Sequence, residues 1–463
     1  VKLLSTILLI SAFLLAVSCS KEKLNLSKEA RLEIGRDSLL FDTVFTTAGS
    51  VTKSFLIKND NNQKINISNL QLMGGAASAF KMNVDGNQGV QFSNMELAAN
   101  DSMYVFVRVN VNPTAANQPF VIKDSIRIEW NGNTSFKQLE AWGQNAVYIR
   151  STIFQGNFTW NKTLPYVILG GMIVDTNSVL TIQPGTRIYL NADAPFIVDG
   201  TLIINGTKTD SVVFRGNRLD EPYKDYPAAW PGIYFRGSSK DNVLTYTYIQ
   251  NAYQGLVAEK PSGNANPKLT LNNCVIDNIY DIGILGANTS ITANNCLITN
   301  CGNNIALIQG GTYHFTHCTV ASFSNTFIQH KNPVLTATNF VRQNGQVQTA
   351  PLNATFTNSI LWGDGGFVEN EAVTQKQGAD PLNLMLQNVL LRVKTDPANT
   401  SLNNVIRNQD PVFDSVDVVK RFYHFKLKTG SPAINKGIAT PLLTDFEGKP
   451  RVDLPDLGCF EKQ

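Results

Sequence analysis

The chain is short of charge. Lys, Arg, Asp and Glu make up 16% of its 463 residues and leave a formal net charge of +3. That is not the basic surface of a nucleic-acid-binding protein, and no recognition motif accompanies it. Histidine is scarce: His314, His317, His330 and His424 are the whole complement. None has the close His or Cys spacing of a metal site, and each reads as a surface or corner residue. Cysteine is also rare. With Cys19 set apart, Cys274, Cys296, Cys301, Cys318 and Cys459 remain, an odd number that argues against a complete disulfide framework. The apolar stretch from Leu3 to Val17 is too short to cross a bilayer. No cofactor motif stands out.

What the chain has is repetition. Cys274, Cys296 and Cys318 recur every 22 residues. They sit in Leu271-Asn272-Asn273-Cys274-Val275-Ile276, Ala293-Asn294-Asn295-Cys296-Leu297-Ile298 and Phe315-Thr316-His317-Cys318-Thr319-Val320. Thr247 and Ser359 extend the Cys column with longer loops between. Ile249, Ile276, Ile298, Val320 and Leu361 form a column two residues later, on the same side of a strand. Leu244, Leu271, Ala293, Phe315 and Phe356 lie at an odd offset, so a corner separates them from Cys. Asn272-Asn273 and Asn294-Asn295 suit it, because Asn tolerates turn geometry. A second polar column follows at Asn251, Asn278, Asn300 and Ser322.

Short strands joined by polar corners at a constant period predict a parallel β-solenoid, in which stacked turns bury a continuous core. A leucine-rich repeat is excluded, since its Leu framework and helical segment are missing. The residues resemble the right-handed parallel β-helix family, which includes pectate lyases and many bacterial surface proteins. That resemblance covers roughly residues 150–460 and implies a domain over 150–463 with a C-terminal tail. The strand-and-Gly run from Val179 to Phe235 is similar to the first turns of such proteins. The ending, Gly430-Ser431-Pro432-Ala433-Ile434-Asn435 and then Asp456-Leu457-Gly458-Cys459-Phe460, is similar to tails on secreted members. Fold alone does not give activity.

Residues 37–146 lack the period. Runs such as Met103-Tyr104-Val105-Phe106-Val107 and Ser125-Ile126-Arg127-Ile128-Glu129-Trp130, spaced by Asn/Asp/Gly turns, predict a β-sandwich. It resembles the immunoglobulin-like modules of bacterial surface proteins, which implies a spacer or docking role. Residues 1–18 read as a signal peptide: Lys2, an apolar stretch, then Ala16-Val17-Ser18-Cys19. The segment resembles a bacterial lipoprotein signal, which implies lipid on Cys19, residues 19–36 as a polar linker, and a location on the outer membrane. The cell surface is the expected side, with the periplasmic face left open.

Three chemistries are open to a chain of this composition. The Cys column reads as small apolar core filler, because stacked strands place thiols in a line and metal coordination needs convergence. A glycoside hydrolase needs two carboxylates projecting together, and a lyase a cationic base. The outward positions of the central turns, Val275, Leu297, Thr319 and Asp277, Thr299, Ala321, hold one acid. The apolar column Tyr248, Val275, Leu297, Thr319, Ile360 instead predicts a covered face. The loop 216–230 collects acids and aromatics, and Tyr223, Asp225, Tyr226 and Trp230 are its candidate contacts with a ligand or partner. The expected function is a non-catalytic binding or scaffold protein, engaging an outer-membrane protein assembly or a glycan. The alternative is a polysaccharide lyase or glycoside hydrolase acting on an acidic polysaccharide.

Overall fold

The computed structural model describes residues 23–46, 49–114, 117, 119–364, 366–452 and 454–462. The signal segment and Cys19 lie outside the described residues. The chain divides into two compact units, Val1–Asn145 and Ala146–Gln463.

The first unit is a sandwich of two five-stranded sheets. One contains Lys53–Asn59, Ser102–Val109 and Phe80–Val84; the other contains Ser38–Phe45, Asn133–Gln144, Phe120–Trp130 and Ile65–Leu72. Alternation sets the inner faces. In Ser102–Val109 the buried residues are Val105, Val107 and Val109, and Tyr104 and Phe106 point out. Both inner faces meet in one core around Ile57, Phe80, Ile126 and Ile128. Residues 24–34, expected as part of a linker, belong to this unit. Ala30 and Leu32 enter its core, and the Trp130 indole donates to the Ala30 carbonyl at 2.9 Å. Two buried apolar side chains hold that segment down, hidden in sequence among charged neighbours.

The second unit is a parallel β-helix. Each turn places one strand on each of three faces. The first face runs through Val179–Ile182, Thr201–Asn205, Asn242–Thr245 and Leu269–Asn272. The second runs through Arg187–Leu190, Val212–Gly216, Thr247–Gln250, Val275–Asp277, Leu297–Thr299 and Thr319–Ser322. The third runs through Phe196–Val198, Ile233–Phe235 and Leu256–Glu259. The longer strands Ile282–Asn294 and Asn303–Thr316 bend from the third face into the first. Strand register reproduces the sequence columns: Leu271 pairs with Ala293 and Ala293 with Phe315, and Ile276 with Ile298 and Ile298 with Val320.

The corner between first and second faces is left-handed in turn after turn. Asn273, Asn295, His317, Asn358 and Asn388 have φ of 53°, 51°, 53°, 50° and 52°. Asn enters this region at little cost because its short polar side chain bonds locally. A second left-handed column, Asn251, Asn278 and Asn300, ends the second face. Inside, Cys274, Cys296 and Cys318 are fully buried with Leu271, Ile276 and Phe315. They are free thiols, and desolvation pushes Cys274 and Cys296 well above the ordinary thiol range. They fill space and are poorly suited to thiolate chemistry.

The C-terminal tail covers the outward apolar column. After the hairpin Phe413–Asp417 and Phe422–Leu427, the chain returns along the second face. Val275, Ile360 and Leu390 pack there against Phe425, Leu457 and Cys459. The left-handed corner column fixes the tail's path. Asn388 donates to the Lys436 carbonyl at 2.6 Å, Asn358 to Ile438 at 2.7 Å and Asn295 to Thr444 at 2.9 Å. His317 takes part from a buried site. The Asn358 amide is oriented by its paired bonds with Ile438 and donates to His317 Nε2 at 3.0 Å. That nitrogen must accept, so the ring is neutral, and burial with Arg451 nearby lowers its pKa to about 3.

Candidate functional site

Where the tail's cover ends, the outward side of the second face turns polar. One outward column reads Gln250, Asp277, Thr299, Ala321, Trp362 from turn to turn. Its apolar end lies beside the hairpin; its polar end floors a cleft of about 290 Å³. Three segments build the cleft. The β-helix supplies Arg215, Gln250 and Asp277 with the corner column Asn251, Asn278 and Asn300. The loop between Val212–Gly216 and Ile233–Phe235 supplies Asp225, and the C-terminal hairpin supplies Lys420, Arg421 and Tyr423.

Hydrogen bonds hold these parts in register. Asn278 donates to Asn251 Oδ1 and to the Asp225 carbonyl, both at 2.9 Å. Asn251 donates to the Lys224 carbonyl at 2.7 Å, and Arg215 to the same carbonyl at 2.8 Å. The left-handed corners thus pin the loop as well as turn the chain. Arg421 joins loop to hairpin: its guanidinium bonds Asp225 Oδ2 at 2.9 Å and lies 4.3 Å from the centre of the Phe327 ring. Bidentate-capable and stackable, arginine suits such a junction.

The charges in the cleft differ in how committed they are. Asp225 is paired with Arg421. Asp277 accepts from Thr299 Oγ1 at 2.8 Å and from Asn300 at 3.1 Å, while desolvation holds its carboxyl above the ordinary value. Lys420 is loosely tied, 3.5 Å from Asp417 with its side chain 81% exposed. The Arg215 Nε is shielded from solvent and has no hydrogen-bond partner among the described residues. Three cations thus face two carboxylates that are already engaged.

The four candidate loop residues separate. Asp225 lies in the cleft. Tyr226 is exposed and packs edge-on to Phe327, with ring centres 5.0 Å apart. Tyr223 is exposed beneath the Arg218 guanidinium, 4.0 Å from its ring centre. Trp230 is a core residue, 1% exposed. Its indole donates inward to the Gln250 carbonyl at 2.9 Å and its ring stacks on Phe214, so it makes no surface contact. His330, read as a surface or corner residue, is also buried, with Nε2 2.9 Å from Glu371. Arg215, Lys420, Arg421 and Tyr423 escaped sequence reasoning. The corner Asn column was its one visible trace, since Arg421 meets Asp225 across 196 residues of chain. Among the described residues no group of three or more His, Cys, Asp or Glu side chains is placed to hold a metal.

No family model and no curated protein matches the chain. Among solved structures, it is similar over 26% of its length to a family 123 glycoside hydrolase from Clostridium perfringens, at 8% identity and a TM-score of 0.19. It is similar over 26% to the CupB6 tip adhesin from Pseudomonas aeruginosa, at 14% identity and a TM-score of 0.19. Over 77% it is similar to the catalytic unit of a GH87 alpha-1,3-glucanase from Streptomyces thermodiastaticus strain HF3-3, at 11% identity and a TM-score of 0.22. The chain spans 26%, 42% and 86% of these three structures. Superpositions this loose carry no argument about function, and the fold rests on strand register.

Proposed function

We propose that this chain is a surface-held binding protein whose β-helix captures a glycan without cleaving it. One observation carries the reading: the cleft of about 290 Å³ on the second face, lined by amides, cations and Tyr423, with both of its carboxylates bound internally. Pockets with a few fixed polar groups beside an aromatic ring suit a hydroxyl-rich ligand. The excess of cations favours sugars bearing carboxylate or sulfate groups. An N-terminal lipid on Cys19 would hold the protein at the outer membrane.

Glycoside hydrolysis is a second reading, favoured by Asp277, a carboxyl on the cleft floor whose pKa is raised by desolvation. One experiment separates the two. The protein is titrated calorimetrically with acidic and neutral oligosaccharides, and the same mixtures are followed for new reducing ends and for unsaturated products. Binding without product supports capture. Product that disappears in Asp277→Asn establishes the enzyme. Heat-silent, product-free mixtures throughout remove the glycan reading. Labelling of the expressed chain with radioactive palmitate, lost in Cys19→Ala, tests the anchor.

A further inference from the structure

Two tyrosines stand just around the corner from the cleft. Tyr253 and Tyr280 occupy successive turns, with ring centres 5.7 Å apart and an interplanar angle of 24°. They are 46% and 53% exposed, although nearby apolar side chains Ala252 and Ile279 are fully buried in the core. Each follows a cleft-lining asparagine by two residues, Asn251 and Asn278 respectively. Two residues of chain span at most about 7 Å, so the backbone of the pair lies within that distance of the cleft's corner asparagines.

The surroundings keep this platform open. In the next turn the neighbouring position is Gly302, whose amide donates to the Ile279 carbonyl at 3.0 Å. A Cβ there would lie 2.3 Å from the Tyr280 carbonyl oxygen. The close approach of backbone therefore demands glycine, and position 302 puts no side chain over Tyr280, which stays 53% exposed. Polar residues follow the rings in the chain: Gln254, next to Tyr253, donates to Oδ2 of Asp281, next to Tyr280, at 3.0 Å, which fixes an amide and a carboxylate on the adjoining positions. The Tyr234 hydroxyl is turned away, donating to the Pro231 carbonyl at 3.0 Å.

An exposed pair of parallel rings with a fixed amide and carboxylate on the adjoining positions has the composition of a sugar-stacking subsite. The electron-rich ring face attracts the C–H-lined face of a pyranose, and Gln254 and Asp281 can exchange hydrogen bonds with its hydroxyls. We propose that Tyr253 and Tyr280 form a second subsite for a linear glycan, which enters the cleft at Asn251 and Asn278 and continues around the corner onto the third face. This rests on the glycan reading of the cleft and adds the path and length of the ligand. A single sugar fills the cleft alone; a longer chain engages both.

The test is calorimetry on the full chain with uronate oligosaccharides of two, four and six units, and with neutral oligosaccharides of the same lengths. Affinity of the wild-type protein is expected to rise with length by about tenfold, the scale of one stacking contact. Tyr253→Ala/Tyr280→Ala should remove that gain and leave the affinity for the shortest oligosaccharide unchanged. Both side chains are exposed, so the unfolding midpoint should stay near that of the wild type, and Tyr280→Phe should retain the gain. Length-dependent binding that the double alanine variant leaves intact overturns the subsite and spares the cleft. Absence of binding by every oligosaccharide overturns the glycan reading itself.

Discussion

The outward side of the second face is two surfaces in one. In one outward column the later turns are apolar, and Ala321 and Trp362 pack in the cluster formed with the hairpin and tail. Over the earlier turns Gln250, Asp277 and Thr299 occupy the same column and line or border an open cleft. Backbone geometry is the same throughout, since the strands stack in continuous register. Only the side chains differ. On a solenoid the scaffold is indifferent to what it displays: apolar residues recruit a cover, and polar residues keep a surface free. The hairpin serves both, burying Phe425 on one side and offering Lys420 and Arg421 on the other.

The sharpest way to break this comparison is to damage the cover. Phe425, 4% exposed and 5.1 Å from the Phe413 ring, should cost about 3–5 kcal/mol as Phe425→Ala, read from urea unfolding of the β-helix unit. If Gln250→Ala at the open end cost as much, the distinction would fail; about 0.5 kcal/mol or less is expected there.

A smaller effect concerns the corner that holds the tail. His317 is neutral in the fold, with its pKa lowered to about 3 from 6.5. The unfolded chain binds the proton first, so stability present above pH 6.5 is lost as pH falls toward 3. About 2 kcal/mol should be gone by pH 5 on this account. His317→Asn, which installs the residue used at Asn295 and Asn358, should flatten the profile between pH 7 and 5. An unchanged slope would place the acid sensitivity elsewhere.

The smallest effect on folding, and a larger one on binding, is expected at the junction of loop and hairpin. Arg421→Gln removes a partly exposed ion pair with Asp225, worth about 1 kcal/mol or less. It should weaken uronate binding by about tenfold in the same calorimetric series. Loss of stability without loss of affinity would make Arg421 a brace for the hairpin alone.

Much of this was legible in advance. The period showed itself because each turn repeats the same chemical demand: apolar inside at Ile276 and Ile298, and a left-handed corner at Asn273 and Asn295. The outward apolar column announced a cover. The aromatic loop was half legible: Asp225 reached the cleft, while Trp230 turned inward because its ring filled space beside Phe214 and its N–H found a carbonyl. Segment 24–34 was misread because two buried side chains among charged ones leave no periodic signal. Glu371 beneath His330 had no signal either, since one buried acid is invisible without its partner.

The sequence by itself determined the solenoid, its columns, its corners and the division into two units of different pattern. Those depend on local periodicity, which stacking repeats turn after turn. The tertiary structure alone decided where the cleft lies and which charges meet in it. Asp277, Asp225 and Arg421 come from three distant segments: Asn251 and Asn278 hold the Asp225 loop at the cleft, and the C-terminal hairpin brings Arg421 to Asp225, within reach of one ligand.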